Sequence, residues 1–451
     1  MSKALVNPFV HGQLLEFGVD ALVSDGRGLG RHEGVVVLVE DALPGQRVRA
    51  RVVSVRKSLA EAELEAVLTR SPDEQEPPCP HAGKCGGCSW QSLAYERQLA
   101  WKERIVRDAL ERVGKVQEPP VLPILGSPQA WGYRNKMEFA FGTSEDGGRT
   151  LGLRERGSRN IVEVTGCLLQ TPLTLRVLAA VRELANGPFR ALPLRFLVVR
   201  EPGAGGCFVE VIAGPGCDAE AGGRFAATLR AVLPEVTGFV LSERAAPSDV
   251  AYGERTLYAD GRLEEQVGPV RLDLGDNAFF QVNTSAATLL YAEAARFAAL
   301  EGQNPVLWDV YSGVGSIGLY LAHAVPGLRV VAVEEMPGAV RCARKNAKAL
   351  GVKDYRVESG DAKSVLGRLL KLGPKPDVVV VDPPRAGIDA RVAQQLVEAA
   401  PQRIVYVSCN PATLARDVAR LAPAFALKAA RPVDLFPQTP HVETVALLER
   451  V

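Results

Sequence analysis

Four largely apolar, β-branched runs constrain this chain more than any other feature. Val306–Val310, Arg329–Val333, Asp377–Val381 and Arg403–Val407 recur through its second half, with helical stretches between them. Runs of this kind, lacking polar alternation, suit parallel strands buried on both faces. The strand–helix rhythm predicts an α/β doubly wound, Rossmann-like domain over residues 269–451. Open sheets of this class bind ligands beyond the carboxyl ends of their strands. The residues that follow each run are therefore the first place to look for function.

At 451 residues the chain is too long for one ordinary domain. Within an expected first domain of residues 1–70, residues 10–68 carry short alternating runs (Gln13–Phe17, Val35–Val39, Gln46–Val55, Glu61–Leu68) punctuated by glycines, which predicts a small antiparallel barrel. Ser71–Pro80 reads as a linker, and Leu93–Val113 has helical spacing. Residues 71–268 otherwise mix strand-like and helical runs as an α+β domain. Hydrophobic residues at 47% and charged residues at 23% argue against a disordered or fibrous chain. Charged residues interrupt every apolar run well before the ~18 residues of a membrane span. With no signal-peptide pattern in Met1–Arg31, a soluble cytoplasmic protein is expected. Fifty-three basic against 52 acidic side chains leave a net charge of +1, which excludes polyanion binding by overall attraction and leaves room for a local basic patch.

The first strand of the doubly wound half runs into Tyr311-Ser312-Gly313-Val314-Gly315-Ser316-Ile317-Gly318. A glycine-rich turn between strand and helix lets backbone approach a ligand at a helix N-terminus. The next strand ends at Glu334, where a carboxylate can accept both hydroxyls of a ribose. Dinucleotide and S-adenosylmethionine sites share these features. Val381-Asp382-Pro383-Pro384-Arg385 separates them, because an acidic residue before two prolines makes a stiff polar lip suited to gripping a base. Asp361, in Ser359-Gly360-Asp361-Ala362, stands where a carboxylate meets a cofactor's adenine. These signals, in this order, predict a methyltransferase domain.

Tyr406-Val407-Ser408-Cys409-Asn410-Pro411 ends a further strand. A thiol at that edge faces the ligand crevice and is a candidate nucleophile. In Pro440-His441-Val442-Glu443-Thr444-Val445 a carboxylate enters the last strand and becomes a candidate base. Carbon 5 of uracil is too weak a nucleophile to take a methyl group from a sulfonium directly. Thiolate addition at carbon 6 makes an enolate and activates carbon 5, after which a base must remove the carbon 5 proton. That chemistry needs one Cys, one carboxylate and one cofactor site.

Of the eight cysteines, Cys79, Cys85 and Cys88 cluster, and Cys167 follows in Thr165-Gly166-Cys167-Leu168. Four thiolates can hold an iron–sulfur cluster or zinc. The spacing is not that of two matched zinc knuckles. Cys207, Cys217 and Cys342 stand alone and need no role beyond packing.

With Cys-Gly-Gly-Cys, Asp-Pro-Pro-Arg and Ser-Cys-Asn-Pro in that order, the chain resembles the RNA uracil-5 methyltransferase family over nearly its whole length. It is most similar to the branch with an amino-terminal TRAM domain and a 4Fe-4S cluster, including ribosomal RNA methyltransferases. Gly26–Arg31 and Leu43–Val48 fit TRAM, an OB-like barrel that binds RNA. The resemblance implies that Cys79, Cys85, Cys88 and Cys167 hold the cluster, and that Gln281 (in Phe279-Phe280-Gln281-Val282-Asn283) contacts S-adenosylmethionine. It places Tyr311, Gly313, Gly315, Glu334, Asp361 and Asp382 at the cofactor, with Asp382 also a candidate for the uracil edge. Cys409 then falls on the nucleophile and Glu443 on the base. Tyr133-Arg134-Asn135-Lys136 fits an RNA-binding stretch of the central domain, and the helix at 93–115 is expected to pack on the catalytic domain. The glycine turn reads Tyr-Ser-Gly where many members have Phe-Cys-Gly. The implied partner is an RNA, ribosomal or transfer, with no membrane and no obligate protein partner, and monomer is the default. The alternatives are a non-catalytic TRAM-type RNA-binding protein and an RNA methyltransferase acting on another base.

Overall fold

The computed structural model describes residues 7–144, 146–246, 248–275 and 279–451. Residues 1–6, the start of the expected barrel domain, lie outside the described residues. Three sheets organise the rest, joined by a two-stranded ribbon, Glu264–Val267 with Val270–Asp273.

The barrel is closed by five strands: Leu14–Leu22, Gly28–His32, Val35–Val39, Arg47–Val55 and Leu59–Thr69. Every second residue of Arg47–Val55 points inward, so Val48, Ala50 and Val52 fill the interior while Arg47, Arg49 and Arg51 face out. Two features depart from the sequence expectation. Gly28–His32, read as turn punctuation, is a strand, and its glycines serve close packing. A Cβ on Gly30 would stand 2.3 Å from the Gly18 carbonyl oxygen and 2.5 Å from the Phe17 ring. The barrel is also not purely antiparallel, because Val35–Val39 pairs in parallel with Leu59–Thr69.

The central sheet has seven strands spread over Lys136–Asp260. Two helices, Pro172–Asn186 and Ala219–Val232, cover it, and Val177, Val181, Phe225 and Leu229 pack on Leu197, Val209 and Phe239.

The third sheet orders its seven strands as Tyr355–Ser359, Arg329–Glu334, Val306–Val310, Val378–Val381, Arg403–Ser408, Glu443–Arg450 and Phe425–Val433. The first five are parallel, and Glu443–Arg450 is antiparallel to both of its neighbours. Alternate residues of each strand enter separate cores: Leu307, Val330, Val378 and Val405 on one face, Val306, Trp308, Val331, Val379 and Ile404 on the other. Both faces are therefore dry, which accounts for the unbroken apolar runs. The helix Tyr95–Arg112 joins the second core through Val106 and Leu110. No described helix is long and apolar enough to cross a membrane.

Replacing Gly30 with Ala drives a methyl group into backbone, which cannot rotate away. Gly30→Ala is expected to destabilise the barrel by about 2 kcal/mol. A lowered denaturation midpoint checks this, and an unchanged one contradicts the packing described.

Candidate active site

Strand register brings the candidate residues together. Val333 pairs with Val310, Val310 with Val381, and Val381 with Tyr406, so Glu334, Tyr311 and Asp382 follow three adjacent strands at one level. Ser408 pairs antiparallel with Thr444. One further step along that register sets Cys409 alongside Glu443. Polar caps then turn the chain into helices. Asn410 accepts N–H bonds from Ala412 and Thr413, Asp361 from Ser364, and Asn283, beyond Gln281, from Ala286.

The glycine turn is held from below. The N–H groups of Tyr311 and Ser312 both donate to the Val333 carbonyl at 3.0 Å. Gly313 N–H donates to one Glu334 oxygen at 2.9 Å, and Met336 N–H to the other at 2.8 Å. Gly313 (φ +57°) has open space where a Cβ would be, and Gly315 (φ +87°) starts the helix Ser316–Ala324. The Ser312 hydroxyl is buried there without a hydrogen-bond partner. Tyr311 itself has φ +67°, a conformation L side chains adopt at a cost and often near ligand sites.

Asp309, inside the strand before this turn, was not among the sequence candidates. It is 1% exposed and accepts the Gly318 N–H at 3.0 Å. A Cβ on Gly318 would lie 2.5 Å from its carboxylate, so the third glycine of the motif makes room for it. Burial pushes the Asp309 pKa to about 7, with the Glu334 charge adding to the rise. Its sequence signal was available, since an acidic residue in a doubly buried apolar strand needs a reason.

At the other end of the crevice burial also dominates. Glu443, 4% exposed, has its pKa pushed to about 8 by burial and then by the Asp382 charge, while Arg385 opposes both. Asp382 keeps part of its surface open to the crevice, yet its carboxyl is enclosed enough to be pushed to about 7, with Asp309 contributing. The half-buried Cys409 thiol is pushed to about 11 by burial, Glu443 and Asp382, again with Arg385 opposing. The Arg385 carbonyl accepts bonds from the Asn410 side chain (3.4 Å) and the Thr413 hydroxyl (3.3 Å), which tie the Asp-Pro-Pro-Arg lip to the thiol's turn.

Cys79, Cys85, Cys88 and Cys167 line one cavity of about 530 Å³, together with Arg134, Lys136, Phe279, Gln281, Arg385 and Phe436. Gln281 thus lines this cavity, and its carbonyl accepts from the Asn135 side chain at 3.1 Å. Burial and the charges of Cys167, Cys85 and Cys79 push the Cys88 thiol to about 12. All eight cysteines are free of disulfides. Among the described residues no group of three or more His, Cys, Asp or Glu side chains is disposed to hold a metal ion, so the four thiols share a cavity without closing a ligand sphere. Lys136 is ion-paired with Glu138, and burial followed by Arg200 lowers its pKa.

Comparison with known proteins identifies the family. Residues 373–451 match the tRNA (Uracil-5-)-methyltransferase family, 285–406 the methyltransferase small domain and 8–64 the TRAM domain. A protein of Nitratidesulfovibrio vulgaris, described as an uncharacterized RNA methyltransferase, is 49% identical over 98% of this chain and 97% of its own length. The chain belongs to the RNA uracil-5 methyltransferase family. A second relative, from Halalkalibacterium halodurans and described in the same words, is 33% identical over 98% of each chain. The crystal structure of Pyrococcus abyssi tRNA (uracil-54, C5)-methyltransferase, in complex with S-adenosyl-L-homocysteine, superposes with a TM-score of 0.75. It is 27% identical and covers 96% of this chain and 100% of that one. The third sheet is accordingly a class I methyltransferase fold, and the amino-terminal barrel is a TRAM domain.

Raised carboxylate pKa values have a consequence for stability. Between about pH 4.5 and pH 8 an unfolded Glu443 is ionised while the folded one keeps its proton, so stability falls as pH rises through that window. Glu443→Gln removes this loss. The variant should gain on the order of 2 kcal/mol over the parent at pH 8.5 but not at pH 4.5. Urea denaturation at the two pH values measures the difference.

Proposed function

We propose that the protein methylates carbon 5 of a specific uridine in RNA, with S-adenosylmethionine as methyl donor and Cys409 as the covalent nucleophile. The observation that carries this reading is the pairing of Ser408 with Thr444, which brings the neighbouring Cys409 and Glu443 to one rim where Glu443 and Asp382 both act on the thiol. An RNA methyltransferase acting on an exocyclic amine has no need of a thiol paired with a buried carboxylate.

The residues fit the cofactor. Its ribose hydroxyls suit Glu334, its adenine Asp361 and the Tyr311 ring, and its amino-acid end the open backbone at Gly313 in the turn that Gly315 ends, with Gln281 and Asp382 as further contacts. The cofactor when bound supplies an electrophilic methyl group. The chain's own residues do the rest. Cys409 adds to carbon 6 of the flipped uracil, Asp382 holds the uracil edge, and Glu443 takes the carbon 5 proton so that the thiolate leaves. A thiol raised to about 11 is a poor nucleophile until bound RNA shifts its proton, and Arg385 favours the thiolate. With its pKa near 8, Glu443 rests protonated at neutral pH and serves as the base only from its ionised form, so proton removal quickens as pH rises toward 8.

The RNA is ribosomal on the sequence resemblance, and transfer RNA is the second candidate, the solved Pyrococcus abyssi relative being named for uracil 54 of tRNA. Arg134 and Lys136 supply local positive charge on the cavity wall. Cys79, Cys85, Cys88 and Cys167 offer the donor chemistry of a 4Fe-4S cluster from one shared cavity, a structural staple between segments whose ligand sphere would close when the group binds. Anaerobically purified protein should be brown and lose that colour in Cys88→Ser. A colourless, zinc-loaded protein would instead support zinc.

Cys409→Ala should lower methyl transfer to RNA by at least ~10³-fold while cofactor binding persists. RNA containing 5-fluorouridine should trap wild-type protein covalently, because fluorine cannot leave as a proton does. Unchanged turnover in Cys409→Ala refutes the mechanism. Mapping 5-methyluridine in RNA from cells lacking the gene identifies the target.

A further inference from the structure

The segment between the last two strands is gripped at five consecutive residues by parts of the chain outside its sheet. Asp434 N–H donates to the Leu125 carbonyl at 2.8 Å, and the Asp434 carboxylate accepts from Lys102 Nζ at 2.6 Å. The Leu435 carbonyl accepts from the Asn283 amide at 3.1 Å, and that of Phe436 from Lys102 Nζ at 3.0 Å. The Pro437 carbonyl accepts from the Tyr133 hydroxyl at 3.0 Å. Gln438 exchanges two bonds with the Gln98 side chain, both 2.9 Å, and its carbonyl accepts from Trp90 N–H at 3.0 Å. Gln98 and Lys102 are one helical turn apart on the helix Tyr95–Arg112 and present the same face to the segment.

This arrangement is costly for a connection between two strands. Lys102 and Asp434 are both wholly buried, and a buried ion pair contributes little net stability compared with apolar side chains of similar volume. Gln438 has φ +69°, a left-handed conformation that a glutamine adopts only where its surroundings demand it. Five residues beyond Gln438 comes Glu443, the first residue of the last strand. The same segment carries Phe436 into the cysteine-lined cavity and stacks it edge-on against His441 at 5.8 Å.

We propose that Lys102 and Gln98 are positioning residues for Glu443. Held through Asp434–Gln438, the last strand starts where the Glu443 carboxylate reaches the carbon 5 proton, whereas the strand before Cys409 is also held on its other side by Val378–Val381. This inference rests on the roles given above to Cys409 and Glu443. In the step concerned, the carboxylate takes the proton, the C–H electron pair becomes the carbon 5–carbon 6 double bond, and the carbon 6–sulfur pair leaves on Cys409. Disturbing the grip slows this step and spares the earlier attack and methyl transfer.

The test uses the full chain, methyl-labelled S-adenosylmethionine, and ribosomal and transfer RNA from cells lacking the gene. It counts labelled RNA that stays bound to protein in denaturant against labelled RNA released. Lys102→Met and Gln98→Leu should raise the bound fraction about tenfold and slow release by a similar factor, with single-turnover methyl transfer within about threefold of wild type. A purely structural role lowers transfer and release together, and that parallel loss, or a wild-type partition, overturns the proposal. Should Lys102→Met fail to fold, Lys102→Met/Asp434→Leu removes both charges and keeps an apolar contact, and the same shift is expected of it. A wild-type protein that forms no adduct with 5-fluorouridine RNA overturns the Cys409 reading itself and this inference with it. A wild type that does form one, beside variants that partition as it does, overturns the positioning role alone.

Discussion

A sheet buried on both faces leaves only its edges and its strand ends for chemistry. Here helices close over Leu307, Val330 and Val405 on one side and Trp308, Val379 and Ile404 on the other, so polar side chains are excluded from both faces. The exception within a strand, Asp309, survives by holding the Gly318 N–H and by taking up a proton more readily than a free carboxyl. Ser408 and Glu443, also buried, lie at the carboxyl edge, while the buried Glu293, Asn346, Gln395 and Asp417 belong to the covering helices. Parallel pairing then sets the heights at which Tyr311, Glu334 and Asp382 emerge, and the antiparallel strand Glu443–Arg450 returns Glu443 to the same rim.

Crowding three carboxyls near a thiol in a poorly solvated rim has one electrostatic outcome. Each raises the pKa of its neighbours, and burial adds to all of them. The site therefore rests largely protonated, with Arg385 the opposing charge on both Cys409 and Glu443. Such a site favours a mechanism in which protons move within it over one that needs a standing thiolate. It also explains why the Asp-Pro-Pro-Arg lip is tied by its backbone to the thiol's turn, since the position of the guanidinium sets the balance.

What was legible in the sequence follows from the range of each interaction. The strands Val306–Val310 and Arg403–Ser408 were legible because double burial writes itself as a continuous run, and Cys409 was legible because it ends one. Gly28–His32 was hidden because its glycines serve close strand packing, which looks like turn chemistry until the Phe17 neighbour is known. Glu443 alone reads as an ordinary surface residue and becomes a candidate only beside a crevice thiol, because its approach to Cys409 depends on an antiparallel register that no local pattern encodes. Lys102 and Asp434 lie 332 positions apart, and each reads singly as an ordinary surface charge.

That last pair bears on how the parts of this protein depend on one another. The helix Tyr95–Arg112 follows the cysteine-bearing segment in sequence, packs into the methyltransferase core through Val106 and Leu110, and holds the connection that leads to Glu443. The Trp90 side chain, just beyond Cys88, donates to the Gly26 carbonyl of the barrel at 3.2 Å, and its backbone N–H donates to Gln438. One short stretch thus touches the barrel, the thiol-lined cavity and the segment before Glu443.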